Sequence, residues 1–419
     1  MLPVKTIVTE SFKKRSNFAL AGLALFLCIF FLFQILLVFV LSRAAFAYDF
    51  KVYWASGKAI QDNFSPYGAY LLQFSEALFF NPPILAYLMV PFSLLPFEIA
   101  EFIWFIISLC LLVASCAFII KLVGYPTAIF TNPKTVTLLL LGVSTLFYPV
   151  FSAIKFGQIN TLIFFLIVAA LLAQHRNKPI LGGLLSGLAI SLKITPLPLL
   201  IFAFWVGWRR LGITASLTIF GTQLVSAIYN PSLFFEYWFS LFPTIATKTG
   251  NISLSLQGLV AQLAPSQLSN FLMPLAIIIS ALVMLVPFYL VYAKRDSQRI
   301  LQGFGLLLCS LGIGLPTVED HYLIWLILPT WMIINYLIQK KAIDKIIILL
   351  LIIILLMWKP YEPGGIFMGI IGTPPEQVKD SRLIIGRATL EVASFLFYFI
   401  LIRLFLSDTN KQPLAEDAQ

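Results

Sequence analysis

Long apolar runs separated by short polar breaks occupy most of the chain. They lie at Phe18–Leu41, Phe102–Ile120, Val136–Ile154, Ile159–Ala173, Ile180–Leu192, Ile194–Trp208, Leu211–Ile228, Phe271–Ala293, Ile300–Pro316, Tyr322–Ile338, Ala342–Trp358 and Ala388–Leu406. A perpendicular helix needs about 20 apolar residues to cross the hydrocarbon core, and several of these runs fall short. The two shortest meet at Lys193-Ile194-Thr195-Pro196. Half-length helices joined at a polar break are tolerated where they line protein or a water-filled cavity. The pattern predicts an all-α polytopic membrane protein with about 11–13 transmembrane helices. The first run follows Lys13, Lys14 and Arg15, and Ala45-Phe46-Ala47 resembles a signal-peptidase site. The apolar core of a signal peptide is only about 7–15 residues long, so a retained span is expected here.

Composition agrees with lipid as the solvent. Charged residues make up 11% of the chain, hydrophobic residues 60%, and 39 of the 419 residues are Phe. The mean hydropathy is +0.95. A soluble fold must turn much of its surface to water, and this chain lacks the polar residues to do so. Cys28, Cys110, Cys116 and Cys309 lie inside apolar runs and read as small hydrophobes, with no disulfide or metal framework.

Charge then orients the runs. If Pro83–Pro96 lies along the interface instead of spanning, the basic loops all fall on one side. These are Lys121/Lys134, Arg176/Lys178, Arg209/Arg210, Lys294/Arg295/Arg299 and Lys340/Lys341. The positive-inside rule makes that side cytoplasmic, together with both termini, in the cell membrane. Residues 1–406 then form one membrane domain, with juxtamembrane helices in the outer loop 42–101 and a short polar cytoplasmic tail at 407–419. The segments Ser42–Glu101, Tyr229–Asn270 and Lys359–Arg387 face outside, and chemistry is expected among them.

On this topology several polar clusters converge on the outer face: Tyr48-Asp49, Asn81, Lys155 with Gln158 and Asn160, Lys193, Asn251 with Ser253, and Glu319-Asp320-His321. Asp49 has two readings. Among Tyr48, Phe50, Tyr53 and Trp54, desolvation would raise its pKa toward that of a general base. Alternatively it caps a helix over Phe50–Ile60. Lys193 between apolar stretches is either a partner for a phosphate or a lysine snorkelling to the headgroups. Lys155 and Lys51 could serve the same phosphate. Gln158 and Asn160 could bind sugar hydroxyls or cap the helix that follows. The adjacent Glu319, Asp320 and His321 could contact phosphate or sugar; neighbouring side chains on a helix diverge, so no metal site is expected. No nucleotide-cradling Gly-rich motif or nucleic-acid signature is present in the sequence.

These motifs together resemble glycosyltransferase family 87. The resemblance rests on Tyr48-Asp49 with Tyr53, Ser65-Pro66-Tyr67-Gly68, Phe80-Asn81-Pro82-Pro83, Pro91 and Leu94-Leu95-Pro96. It continues through Gly157-Gln158-Ile159-Asn160, Gly182-Gly183, Gly187 and Leu192-Lys193-Ile194-Thr195-Pro196, and covers roughly residues 45–330. The resemblance implies a GT-C-type glycosyltransferase fold and inverting transfer of a hexose, mannose in known members, from a polyprenyl-phosphate donor to a glycolipid or glycan. No separate cofactor is implied. Asp49 takes the role of catalytic base. Lys193, His321, Lys155, Gln158 and Asn160 would face the donor phosphate and sugar. Tyr48, Tyr53, Tyr67, Asn81, Asn251, Glu319 and Asp320 would line the acceptor side. His321 follows Glu319-Asp320, which departs from the usual family context. The rival readings are a transporter or flippase, disfavoured by the lack of duplicated halves, and an O-antigen-type polymerase.

Overall fold

The computed structural model describes residues 4–340 except 42, 44–45, 128, 131, 248–252, 265 and 293–294, together with 395–403 except 397. Among the described residues there are helices and turns and no strand. The helices are α1 (Val4–Leu41), α2 (Tyr48–Gln61), α3 (Pro83–Ser93), α4 (Phe97–Val123), α5 (Pro133–Thr145), α6 (Tyr148–Lys155), α7 (Asn160–His175) and α8 (Pro179–Leu192). They continue as α9 (Leu197–Trp205), α10 (Arg209–Tyr229), α11 (Pro231–Phe235), α12 (Phe242–Thr247), α13 (Leu256–Leu263), α14 (Ser266–Tyr292), α15 (Ser297–Gly314) and α16 (Ile327–Gln339).

Among the described residues, five stretches are long and apolar enough to cross a membrane: Asn17–Leu41, Phe97–Val123, Arg209–Tyr229, Gln267–Tyr292 and Asp320–Gln339. Helices α3, α7 and α8 are apolar but shorter. The expected run Ala342–Trp358, and most of Ala388–Leu406, lie outside the described residues. The many exposed Leu, Ile and Phe side chains of α1, α4, α10 and α14 match a lipid-facing exterior. The chain is thus an all-α polytopic membrane protein.

Three local features position the site. The run Val136–Ile154, expected to be one span, is broken: α5 and α6 meet at 82°. Pro149 explains the break, because it has no N–H to give the Thr145 carbonyl and its ring would clash there. The bend swings α6 against the turn at Asp320–Leu326 and carries Lys155 inward. At the second break the expectation holds. Helix α8 ends at Leu192, Lys193 is extended (φ −153°, ψ 124°), and α9 begins at Leu197 after Pro196.

The segment between α1 and α4 is anchored at several points. Arg43 reaches Glu101 with both guanidinium nitrogens, Nη1 donating to Oε1 at 2.7 Å and Nη2 to Oε2, which ties the end of α1 to the start of α4. Helix α3 has 11 residues, about 16 Å of rise, too short to cross alone. It packs on α2 so closely that a Cβ on Gly57 would lie 2.6 Å from the Met89 carbonyl oxygen. Trp54 Nε1 donates to the Leu95 carbonyl at 3.1 Å and Gln61 Nε2 to that of Val90 at 3.2 Å. The α2–α3 pair is therefore held as a unit beside α4.

Candidate functional site

The site is assembled where α2 begins. The turn after α6 docks against it through backbone hydrogen bonds. Ala47 N–H donates to the Lys155 carbonyl at 2.7 Å, and the N–H groups of Asp49 and Phe50 donate to the Phe156 carbonyl at 3.1 Å each. Trp104 Nε1 donates to the Gly157 carbonyl at 2.8 Å from α4. Gly157 has φ +65°, and a Cβ there would sit 2.6 Å from Phe50 Cβ. Left-handed backbone and this contact together require glycine. Ala47 is also left-handed (φ 53°) and buried, a conformation that L-residues with a Cβ adopt at a cost. It turns the chain sharply into α2.

Asp49 does not cap. Helix α2 starts at Tyr48, two residues earlier than a capping Asp49 would allow; its N-cap is Ala47, with no side-chain cap bond. The Asp49 carboxylate is half-buried and accepts from the Gln158 side chain. Burial pushes its pKa up to about 6; the Gln158 hydrogen bond and the charges of Lys193 and Lys155 pull it down, while Asp320 pushes it up. Those same influences place Lys193, Lys155 and Asp320 near one carboxylate, although they come from distant parts of the chain. Tyr48 beside it is half-buried, with its phenol near Asp49 and Glu76.

The cap readings of Gln158 and Asn160 also fail. Tyr53 Oη donates to Gln158 Oε1 at 2.7 Å in a buried bond, so the amide's oxygen is committed to Tyr53 and its nitrogen to Asp49. Gln158 is therefore a brace for Asp49. Asn160 is the first residue of α7, and its Oδ1 accepts from Lys193 Nζ at 2.9 Å. Its Nδ2 is buried without a partner. Lys193 is 8% exposed, with Nζ 3.9 Å above the centre of the Tyr322 ring. A side chain held inward by an amide and a ring is not snorkelling. Lys155 is buried at the end of α6, with Nζ over the Phe156 ring at 4.4 Å.

The Glu319–His321 segment is carried to this spot by a hub at Ser253 and Ser255. Both hydroxyls donate to the Pro316 carbonyl, at 3.2 and 3.1 Å, and Ser253 Oγ accepts from Val318 N–H at 3.0 Å. Ser253 thus positions the segment. Asn251 lies outside the described residues. His321 is buried, with Nε2 3.5 Å from a Glu319 carboxylate oxygen and its ring stacked on Tyr322.

Tyr67 and Asn81 sit on an adjoining aromatic wall. Tyr67 Oη donates to the Asn81 backbone carbonyl at 2.9 Å, and its ring packs 5.6 Å from both Phe79 and Tyr237. Asn81 enters this arrangement through its backbone. Sequence reasoning passed over Tyr237 and Glu236. Glu236 accepts from Ser65 Oγ at 2.7 Å, locking the Ser65–Gly68 block to the helical stretch after α10. Their one signal was the position of both within the expected outer segment Tyr229–Asn270.

A carboxylate with a raised pKa, faced by two buried lysines and walled by phenols, can take a proton while an anionic group is held opposite. The model of glycosyltransferase family 87 matches residues 79–315. That stretch holds Lys155, Gln158, Asn160 and Lys193; Asp49 precedes it and His321 follows it. A polyprenol-phosphate-mannose-dependent alpha-(1-2)-phosphatidylinositol mannoside mannosyltransferase of Mycobacterium tuberculosis is 26% identical over 308 residues, 69% of this chain and 70% of the relative. A phosphatidylinositol pentamannoside mannosyltransferase from the same species, also polyprenol-phosphate-mannose-dependent, is 25% identical over 61% of this chain and 58% of its own length. A mannosyltransferase of Mycolicibacterium smegmatis with the same description as the first is 25% identical over 56% of each chain.

Proposed function

The chain belongs to glycosyltransferase family 87, and on that premise we propose that it transfers a hexose, with inversion, from a polyprenyl-phosphate donor to a glycolipid or glycan at the outer face of the membrane. Mannose is the sugar favoured by the relatives' activities. The carrying observation is Asp49: a braced, half-buried carboxylate with a pKa near that of a general base, opposite Lys155 and Lys193.

In this reading an acceptor hydroxyl approaches Asp49. Its oxygen bonds to the anomeric carbon as the bond from that carbon to the phosphate oxygen breaks. The hydroxyl proton goes to the Asp49 carboxylate, and polyprenyl phosphate leaves with the electron pair. Lys193 and Lys155 neutralise charge growing on the phosphate, a role that in such sites often contributes most to the rate. Asn160, whose Nδ2 is unpartnered, can donate to a phosphate or sugar oxygen beside Lys193. His321 borders the same group, and the wall of Tyr53, Tyr67 and Tyr237 suits the apolar face of a sugar. The outer-face assignment is supported by the basic residues Arg176, Arg209, Arg210, Arg299 and Lys340, which gather at the helix ends distal to Asp49.

The test is transfer by the purified full chain in lipid vesicles, with radiolabelled polyprenyl-phosphate sugars and a membrane extract as acceptor source. Transfer by wild type and its loss in a folded Asp49→Asn protein is the expected result. Undiminished transfer by Asp49→Asn would remove the base assignment, and failure to bind any such donor would remove the donor class.

A further inference from the structure

At the helix ends farthest from Asp49 the bundle holds a partly open cavity of about 540 Å3, within the range of small-ligand sites. Helix α7 connects the two places. It starts at Asn160 beside Lys193 and ends at His175 in the cavity wall, 16 residues and about 24 Å away. The ends of α4 and α16 and the start of α15 complete the wall. This cavity is separate from the Asp49 cluster, and nothing argued for glycosyl transfer uses it.

Its chemistry is specific. Six carboxamides line it: Gln174, Asn177, Gln298, Gln302, Asn335 and Gln339. Trp208 and Tyr336 add aromatic faces, and among the described residues that line it none is Asp, Glu, Lys or Arg. Gln174 Oε1 is buried without a hydrogen-bond partner. The Asn335 and Gln339 amides make only long bonds, Asn335 Nδ2 to the Val123 carbonyl and Gln339 Nε2 to Asn335 Oδ1, each at 3.4 Å. Asn335 is buried, as is the Gln174 oxygen, and buried amide groups so poorly satisfied are costly unless something else bonds them; Asn177, Gln298 and Gln339 are exposed and stand at the mouth.

Charge is concentrated just outside. Lys121, Arg176, Arg209, Arg299 and Lys340 each adjoin a lining residue in sequence. Asp296 offsets one of these charges by pairing with Arg299 at 3.7 Å. A site for a bare anion would place its cations inside, and a site for an acyl chain would have no use for six amides. Paired donors and acceptors with aromatic faces suit a ring of hydroxyls, and the surrounding bases suit a phosphate.

We propose that this cavity binds a phosphorylated polyhydroxyl headgroup, that of an anionic lipid in the leaflet distal to Asp49. Basic pockets between spanning helices are suited to such headgroups, because the phosphate stays at the interface while the polyol enters.

Thermal unfolding of the full chain in nanodiscs tests it. Phosphatidylcholine discs would be compared with discs doped with phosphatidylinositol, as the polyol-phosphate probe, or with phosphatidic acid, as a probe of charge alone. Phosphatidylinositol is expected to shift the midpoint upward and phosphatidic acid to do so much less, since a ligand bound to the native state stabilises it. The Gln174→Leu/Gln302→Leu protein should lose the shift, and Arg209→Gln/Arg210→Gln, altered only at exposed positions, should weaken it. Both should keep wild-type transfer activity. Inositol 1-phosphate reproducing the shift where the lipid fails would support the same chemistry from a soluble source. Equal shifts with both lipids, or a shift that survives in both variants, would overturn the proposal, as would no shift at all.

Discussion

Tyr53 and Gln158 form a buried pair in which the phenol donates to the amide oxygen at 2.7 Å. The consequence falls on a third residue. With its oxygen occupied, the amide can turn only its nitrogen to Asp49, so the carboxylate always meets a donor there and is fixed in orientation. A tyrosine that touches no reacting atom thereby sets the direction of the proposed base.

Breaking the brace should therefore separate positioning from binding. Gln158→Leu is expected to lower kcat about 10-fold or more with a much smaller change in KM, because a misdirected group costs rate even when substrate still binds. Tyr53→Phe, which frees the amide to flip, should have the same sign and a smaller size. Steady-state kinetics on the folded variants measures both.

Acid should silence the enzyme at an unusually high pH for a carboxylate. The pKa of Asp49 stands above its ordinary value of 3.8, at about 6, with burial as the largest cause. An acid with a raised pKa keeps its proton until the pH passes that value. Transfer should accordingly rise with pH through a limb centred near 6, and Gln158→Leu should move that limb upward by removing a bond that favours the carboxylate. Linkage gives the stability sign: ionising Asp49 disfavours the fold, so its stability contribution falls as pH rises from about 4 through 6. Asp49→Asn should flatten that part of a stability–pH curve.

Lys193 should tolerate no substitute. Lys193→Met is expected to reduce kcat/KM by about 100-fold or more, the scale of losing one charge-stabilising donor. Lys193→Arg should rescue little, since a planar guanidinium cannot sit over the Tyr322 ring and reach Asn160 in the space of an ammonium. Asn160→Ala should weaken transfer less than Lys193→Met.

The turn at Gly157 should be the most fragile point of the site. Gly157→Ala forces a Cβ against Phe50 at positive φ and is expected to destabilise by about 1–3 kcal/mol. Activity should fall with it, because this turn also receives the Asp49 N–H. Ala47→Gly should be tolerated and Ala47→Val should not, since a β-branched residue adopts left-handed backbone poorly. Unfolding midpoints in detergent distinguish these cases.

Local signals made much of this legible in advance. The break at Lys193 follows from a cation and a proline between two short apolar runs. The convergence of Asp49, Lys155, Lys193 and Asp320 follows from counting membrane crossings. The bend at Pro149 was readable in principle, from an absent N–H four residues after Thr145, but a continuous apolar run masks it. Pairings across long separations have no such local trace. Nothing in residues 43 and 101, 65 and 236, or 67 and 237 marks them as partners, because packing chooses them after the helices form. Gln158 was noticed for its amide, and only the contact with Tyr53 shows which way that amide is turned.

The ion pair of Arg43 and Glu101 bears on how the chain enters the bilayer. A carboxylate near the start of a spanning helix is costly to insert alone. Ribosomal order puts Arg43 at the interface before Glu101 emerges, so the acid arrives to a waiting counter-charge. In the folded chain the same pair holds the ends of α1 and α4 together. The frame around Asp49 thus rests on a pair whose two partners, Arg43 and Glu101, both precede Gln158 in the chain.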